Sequence, residues 1–190
     1  MGLAKLKTKI SVEEYLKGEE ISEVKHELLD GEVYAMAGTS DKHNIICGNL
    51  FANLRAHLLD SPCQTFIENM KVRVDPHIFY YPDILVSCEK NPESPYYRDE
   101  PILIIEVTSP STAQIDRREK LRAYQQMPSV HEYVVVEQEK IVVEIHRRQP
   151  DGRWITYFFS RNDTEFTLES VDLTVQLTEV YRRVDFDENS

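Results

Sequence analysis

Residues 102–107 read Ile-Leu-Ile-Ile-Glu-Val, and residues 84–86 read Ile-Leu-Val. Short, continuous, β-branched runs of this kind predict strands buried on both faces, which we place at 83–87 and 102–107. Ile45, Ile46, Leu50, Leu54 and Leu58 recur instead at helical spacing behind a capping Ser40 or Asp41. They predict a helix to about residue 59, stopped before Pro62. A second long helix is expected over 113–126, after Thr112. Ser11-Val12-Glu13-Glu14 has the capping-box pattern and opens a short helix to residue 16. Asp30-Gly31 between 25–29 and 32–36 is a hairpin signal. Segments 64–68 and 71–74 read as a second strand pair, followed by an Asp75-Pro76 turn. Segments 130–137 and 140–146 suggest a further hairpin that 154–159 extends. A late strand at 172–176 and a short helix at 177–183 close the series. Segment 90–101, polar and with three prolines, reads as a mobile surface loop. Strand pairs combined with two substantial helices predict an α/β or α+β fold with a mixed sheet. At 190 residues the chain is expected to form one domain, 1–190, with an acidic, frayed end at 185–190.

Against this pattern two residues are out of place. Glu106 lies inside an apolar run, where a core strand normally carries no acid. Asp83 begins the other run, after Tyr81-Pro82. Burying a carboxylate is costly unless it is paired or holds a metal. For Glu106 the competing explanation is a buried salt bridge. For Asp83 it is a solvated strand end or an Asx-type turn, which weighs equally with a functional role. Asp116 and Lys120 stand at i, i+4, which alone means an exposed helix pair worth ~0.3–0.5 kcal/mol. Together with Tyr124, however, they define one helix face directly after the Glu106 strand. Two acids and one cation in this order are the minimum equipment for metal-assisted attack on a phosphodiester.

Pro82-Asp83 followed by Glu106-Val107-Thr108 resembles the core of the PD-(D/E)XK nuclease superfamily. Glu106-Val107-Thr108-Ser109-Pro110-Ser111-Thr112, Asp116, Lys120, Tyr124 and Glu132-Tyr133 are similar, more narrowly, to the Uma restriction-endonuclease family. Glu27-Leu28-Leu29-Asp30-Gly31-Glu32, Met36-Ala37-Gly38 and His43 fall in the same family's order, so the resemblance spans about 15–133. It implies a restriction-endonuclease-like mixed sheet flanked by helices and a metal-dependent endonuclease acting on DNA. The implied metal is Mg²⁺ or Mn²⁺, held by Asp83, Glu106 and the carbonyl of Val107. Implied catalytic residues are Asp83, Glu106, Lys120 and Glu27, with His43, Arg117 and Tyr124 on the substrate. For Glu27 a cross-strand pair with Lys25 weighs equally. His43 as a helix cap and Arg117 as a solvated surface arginine are the ordinary alternatives. The sequence departs from the superfamily at Thr108, where its lysine usually stands; the Uma-like pattern supplies Lys120 from the next helix instead.

Charge supports a rival reading. With 22 Lys and Arg against 33 Asp and Glu, the net charge is −11, the wrong sign for long-range attraction to nucleic acid. A nuclease-like fold kept as a non-catalytic protein- or nucleic-acid-binding module fits that charge, as does hydrolysis of a smaller phosphoester. A bound divalent cation or a local basic lip can invert the field at the site itself. Cys47, Cys63 and Cys88 are odd in number and form no Cys-x-x-Cys pair, so neither a disulfide framework nor a structural zinc site is expected. With no export signal and no apolar run near the ~20 residues a membrane span needs, a cytoplasmic protein without disulfides is expected. The sequence is compatible with a homodimer and fixes no oligomeric state.

Overall fold

A computed structural model describes residues 9–36, 38–108 and 115–186, the side chains of 115–117 excepted. Ser109 to Thr112, the start of the second long helix at 113, the side chains of Asp116 and Arg117, and residues 187–190 therefore lie outside the described residues. The fold is mixed α+β, as the patterning predicts.

Helix α1, Val12–Glu19, carries the full capping box: Ser11 Oγ accepts from Glu14 N, and Glu14 accepts from Ser11 N. The hairpin of β1 (His26–Leu29) and β2 (Glu32–Ala35) turns through Asp30 and Gly31, both at positive φ (49° and 86°). Two consecutive left-handed residues are what a type I′ hairpin needs, and Asp-Gly supplies them at low cost. Helix α2 (Asp41–His57) is capped by Ser40 Oγ, which accepts from His43 N at 3.1 Å.

Strands β3 (Gln64–Ile67), β4 (Lys71–Asp75), β5 (Ile78–Tyr80), β6 (Ile84–Ser87), β7 (Tyr97–Arg98) and β8 (Pro101–Thr108) precede helix α3 (Ile115–Gln126). Strands β9 (Glu132–Glu137), β10 (Val142–Arg148), β11 (Trp154–Ser160), β12 (Glu165–Leu168) and β13 (Leu173–Gln176) lead to the single turn α4 (Leu177–Val180). The central sheet has the order β11-β10-β9-β8-β6-β3; a second sheet has the order β2-β1-β5-β4-β7, and β12 pairs with β13. Only the β8–β9 neighbours in the central sheet are parallel, joined by the α3 crossover.

The central strands are covered on both faces, which explains their unbroken apolar runs. Ile84, Val86, Leu103, Ile105, Val107, Val134 and Val136 pack with Ile46, Leu50 and Leu54 of α2 and with Phe166, Leu168 and Val180 of the C-terminal elements. The alternate residues Leu85, Ile104, Tyr133 and Val135 pack with Val72, Tyr80 and Tyr124 of α3. A buried acid pins the C-terminal elements to this sheet. Glu132, its side chain 1% exposed, accepts from Arg147 Nε at 2.7 Å, Ser170 N at 2.8 Å and Ser170 Oγ at 2.6 Å.

Several expectations are corrected. Segments 64–68 and 71–74 do not pair with each other. Glu68 adopts a left-handed backbone (φ 55°) that sends β4 into the second sheet, while β3 pairs with β6. Segment 90–101 is no free loop, because Tyr97 and Arg98 form β7 beside β4 and are both buried. Strands β5 and β12 carried no sequence signal that we read. Phe186, the last described residue, packs its ring against Tyr181 at 5.6 Å.

The cysteine expectation also fails. Cys63 and Cys88 are joined in a disulfide and Cys47 is free and buried. The pairing follows from register: Gln64 faces Ser87 across β3 and β6, so the flanking Cys63 and Cys88 meet one step further on. Closing a loop of 25 residues removes unfolded-state entropy worth ~3.5 kcal/mol at most. Urea unfolding with and without reductant is expected to show the reduced protein less stable by up to about that amount; superimposable curves would count against the bond.

Candidate active site

Ile84 of β6 faces Ile105 of β8. One step further, Asp83 and Glu106 stand opposite each other where β6 begins, and opposite residues of an antiparallel pair share a face. That face is the one packed by α3. Lys120 and Tyr124, one turn apart on α3, point to it: Lys120 Nζ lies 3.3 Å from Glu106 Oε1, and Tyr124 Oη donates to the same oxygen at 3.4 Å. Glu27 enters from β1 in the other sheet. Its Oε1 accepts from Lys120 Nζ at 2.9 Å and from Tyr81 N at 3.2 Å. Asp83 Oδ2 accepts from Val107 N at 2.7 Å and meets His43 Nε2, at the start of α2, at 3.1 Å.

These groups border one cleft of about 760 Å³, whose rim includes Tyr34, Met36, Thr39, Ser40, Thr108, Glu119 and Gln138. Of the residues singled out in the sequence, Glu27, His43, Asp83, Glu106, Val107 and Lys120 line it together. Tyr124 does not: its side chain is wholly buried behind Glu106, so it positions the carboxylate rather than meeting a ligand. Thr108, at the usual lysine position, ends β8 at the rim.

The electrostatics are those of an acid-rich, poorly solvated pocket. Burial pushes Glu106 up from an ordinary 4.5 to about 8; Lys120 opposes that rise, while Asp83 and Glu27 reinforce it. His43 feels burial, which lowers it, but the hydrogen bond and charge of Asp83 prevail and raise it overall. Burial, reinforced by Glu106, raises Tyr124 far above the usual phenol range. With all three carboxylates ionised, one lysine and one histidine would leave an excess of negative charge at low dielectric, a conflict that protonation of Glu106 or a bound cation relieves.

The donors fit a hard divalent ion. Asp83 and Glu106 offer oxygens only, the preference of Mg²⁺ and Mn²⁺. Val107 N already turns toward Asp83, and in an extended strand a residue's carbonyl faces the same edge as its amide. Sequence reasoning passed over Tyr81, Gln138, Glu68 and Cys47. Tyr81 holds Glu27 through its amide, and its hydroxyl links Lys71 at 3.1 Å with Glu19 at 2.9 Å. Gln138 accepts from Ser40 Oγ at 3.0 Å, joining the cap of α2 to the end of β9. Cys47 stands one helical turn after His43, a spacing that was visible in the sequence.

Comparison with known proteins finds relatives of this chain. The sequence model of the Uma2 family, described as "Putative restriction endonuclease", matches residues 12–179. The uncharacterized protein slr1290 of Synechocystis is 32% identical over 180 residues, covering 94% of each chain. The uncharacterized protein sll1609 of the same organism is 31% identical over 154 residues, covering 77% of this chain and 85% of its own. A crystal structure described as a putative nuclease belonging to DUF820 from Anabaena variabilis superposes with a TM-score of 0.70 at 18% identity. It covers 90% of this chain and 97% of that one, and at such identity the likeness concerns the fold.

The raised Glu106 has a testable consequence. The native metal-free protein favours the protonated carboxyl, so this contribution is whole below pH 4.5 and is lost as pH rises through about 8. With chelator present, wild-type urea midpoints should fall from about pH 5 to about pH 8. Glu106→Gln, which cannot ionise, should show a flatter profile over that window. Parallel profiles would contradict the assignment.

Proposed function

The chain belongs to the Uma2 family, and from that premise we propose that it is a metal-dependent endonuclease hydrolysing DNA phosphodiester bonds. The observation that carries this reading is the convergence of Asp83, Glu106, Glu27 and Lys120 from four separate elements on one cleft. A buried ion pair that served only stability would need two of them.

Asp83, Glu106 and the Val107 carbonyl hold the cation. Held there, Mg²⁺ or Mn²⁺ would supply Lewis-acid chemistry at a phosphoryl oxygen and a bound water. Val107 N and His43 Nε2 both hold Asp83 Oδ2, so that carboxylate is oriented before any ligand arrives. Tyr124 does the same for Glu106. Lys120, kept in place by Glu27 at 2.9 Å, supplies positive charge where the phosphorane oxygens develop theirs. Arg117, in the first turn of α3, is assigned to the phosphate backbone, and His43 to the scissile phosphate's surroundings through Asp83.

Among the described residues no helix is long and apolar enough to cross a membrane. A DNA substrate argues for a cytoplasmic location; the Cys63–Cys88 bond runs against it, because reducing compartments keep such pairs as thiols. The net charge of −11 works against tight non-specific binding to DNA.

The deciding assay is nicking of supercoiled plasmid, with linear duplex and single-stranded DNA as further substrates, in Mg²⁺ or Mn²⁺ and with chelator. Glu106→Gln should abolish cleavage. Lys120→Ala, at matched folded concentration, should lower the rate by ~10²-fold or more, the scale of removing one electrostatic stabiliser. No cleavage by wild type on any of these substrates would overturn the enzyme reading in favour of a binding module. Equal rates for wild type and Lys120→Ala would remove the lysine from the mechanism.

A further inference from the structure

Behind the cleft, on the α2 side of the central sheet, lies a second group of ligating side chains. One ring nitrogen of His43, Cys47 Sγ and a carboxylate oxygen of Glu68 all lie within 4.8 Å of one another, and the first two residues are buried. His43 and Cys47 share one face of α2 at i, i+4. Glu68 comes from the turn between β3 and β4.

We propose that His43 Nδ1, Cys47 Sγ and Glu68 form a second cation site, for Zn²⁺ or an ion of similar softness, distinct from the carboxylate pair that faces the cleft. Four observations support it. The first is spacing. Nδ1 and Sγ stand 3.6 Å apart. Bonds of about 2.05 Å to nitrogen and 2.3 Å to sulfur at a tetrahedral angle require about 3.6 Å between these atoms. The second is tautomer. Nε2 faces the Asp83 carboxylate at 3.1 Å, so in the neutral ring the proton sits on Nε2 and the Nδ1 lone pair is turned to the thiol. Carboxylate, imidazole and metal in that order is the usual arrangement for a ligating histidine.

The third observation is backbone. Glu68 is a non-glycine residue held left-handed at φ 55°, an uncommon conformation that persists only where its surroundings impose it. Glu68 N donates to Asp83 O at 2.7 Å, and Glu68 O accepts from Lys25 Nζ at 3.2 Å. Continued one step past Ile67, Ile84 and Ile105, the register of the central sheet would bring Glu68, Asp83 and Glu106 into one row. The left-handed turn takes Glu68 out of that row toward α2, so its carboxylate joins His43 and Cys47 instead of crowding Glu106.

The fourth is charge. A thiolate and a carboxylate neutralise a divalent ion, with a neutral imidazole as third ligand, so the loaded site buries no net charge. Loading releases one proton, from the Cys47 thiol to solvent. Thiolate and imidazole together select zinc-like ions over Mg²⁺, so the two sites sort metals by ligand type. They share Asp83 as a hinge: an ion on Nδ1 fixes the proton on Nε2 and thereby the orientation of Asp83.

Co²⁺ is the probe, added to chelator-stripped full-length wild type without nucleic acid. The expected result is near-ultraviolet thiolate-to-cobalt absorption with intense visible bands of a tetrahedral ion, bleached by stoichiometric Zn²⁺. Cys47→Ser should abolish the near-ultraviolet band, with Cys47→Ala standing in if serine disturbs this buried position. Asp83→Asn should weaken cobalt affinity by roughly 10- to 100-fold, the usual effect of losing a ligand's outer partner. Cys63→Ser/Cys88→Ser should retain the band. No thiolate band in folded wild type, or a band that survives loss of Cys47, would overturn the proposal. Either failure would leave the nuclease reading standing, since that reading is tested by cleavage in Mg²⁺ or Mn²⁺.

Discussion

Glu106 is an acid in a strand whose other inward positions are all apolar, and the cleft is organised around compensating that burial. Burial, with Asp83 and Glu27 nearby and Lys120 opposing, raises its pKa to about 8, so near neutral pH the group stands close to its own titration. Lys120 and Tyr124 share one of its oxygens; without them a charged Glu106 would lack compensation of the size that burial demands. Lys120 then needs its own restraint, which Glu27 supplies from the second sheet. Through this chain of contacts, one costly residue fixes how α3 and the two sheets approach one another.

The two helices meet this site from opposite faces. Helix α3 brings Lys120 along the face it covers, whereas α2 covers the other face and reaches Asp83 only through His43 at its first turn. Ser40 makes that reach possible twice over. It caps α2 by accepting from His43 N, and it donates to Gln138 beyond β9. The helix start is thereby tied to the sheet end that carries Asp83 and Glu106. Preorganised geometry of this kind, rather than contact area, separates a site from a stabilising ion pair.

Much of this was legible in the sequence because the signals were local. Apolar runs at 84–86 and 102–107, the Asp30-Gly31 turn and the caps Ser11 and Ser40 each depend on neighbours a few residues away. The acid Glu106 was conspicuous because it interrupted such a run. What failed was long-range. The β3–β4 pairing looked natural from proximity in sequence, but the left-handed Glu68 redirects the chain and β3 pairs with β6 instead. The disulfide depends on the same register, and an odd count of cysteines without ligand spacing gave no hint of it. Tyr124 fitted the motif, yet whether its hydroxyl faces a ligand or a buried carboxylate depends on how α3 rotates against β8, which periodicity does not determine. Glu68 was overlooked for a related reason: only the turn after β3 brings it to His43 and Cys47, whose one-turn spacing on α2 was itself visible in the sequence.

The register that sets Asp83 opposite Glu106 runs through β6, whose other end lies beside Cys63 and Cys88. A slip of one residue between β3 and β6 would turn every side chain of one strand to the opposite face. It would exchange Ile67 for Glu68 opposite Ile84, and bury an uncompensated acid against α2. The covalent link two residues beyond Val86 opposes that slip, because the slip would move Cys63 and Cys88 one residue step apart. The disulfide, far from the cleft in chemistry, is therefore near it in consequence: it holds the strand pair whose far end carries the carboxylates. In the reduced chain the same register must rest on the apolar packing of Ile84 and Val86 and on the hydrogen bond from Glu68 N to Asp83 O.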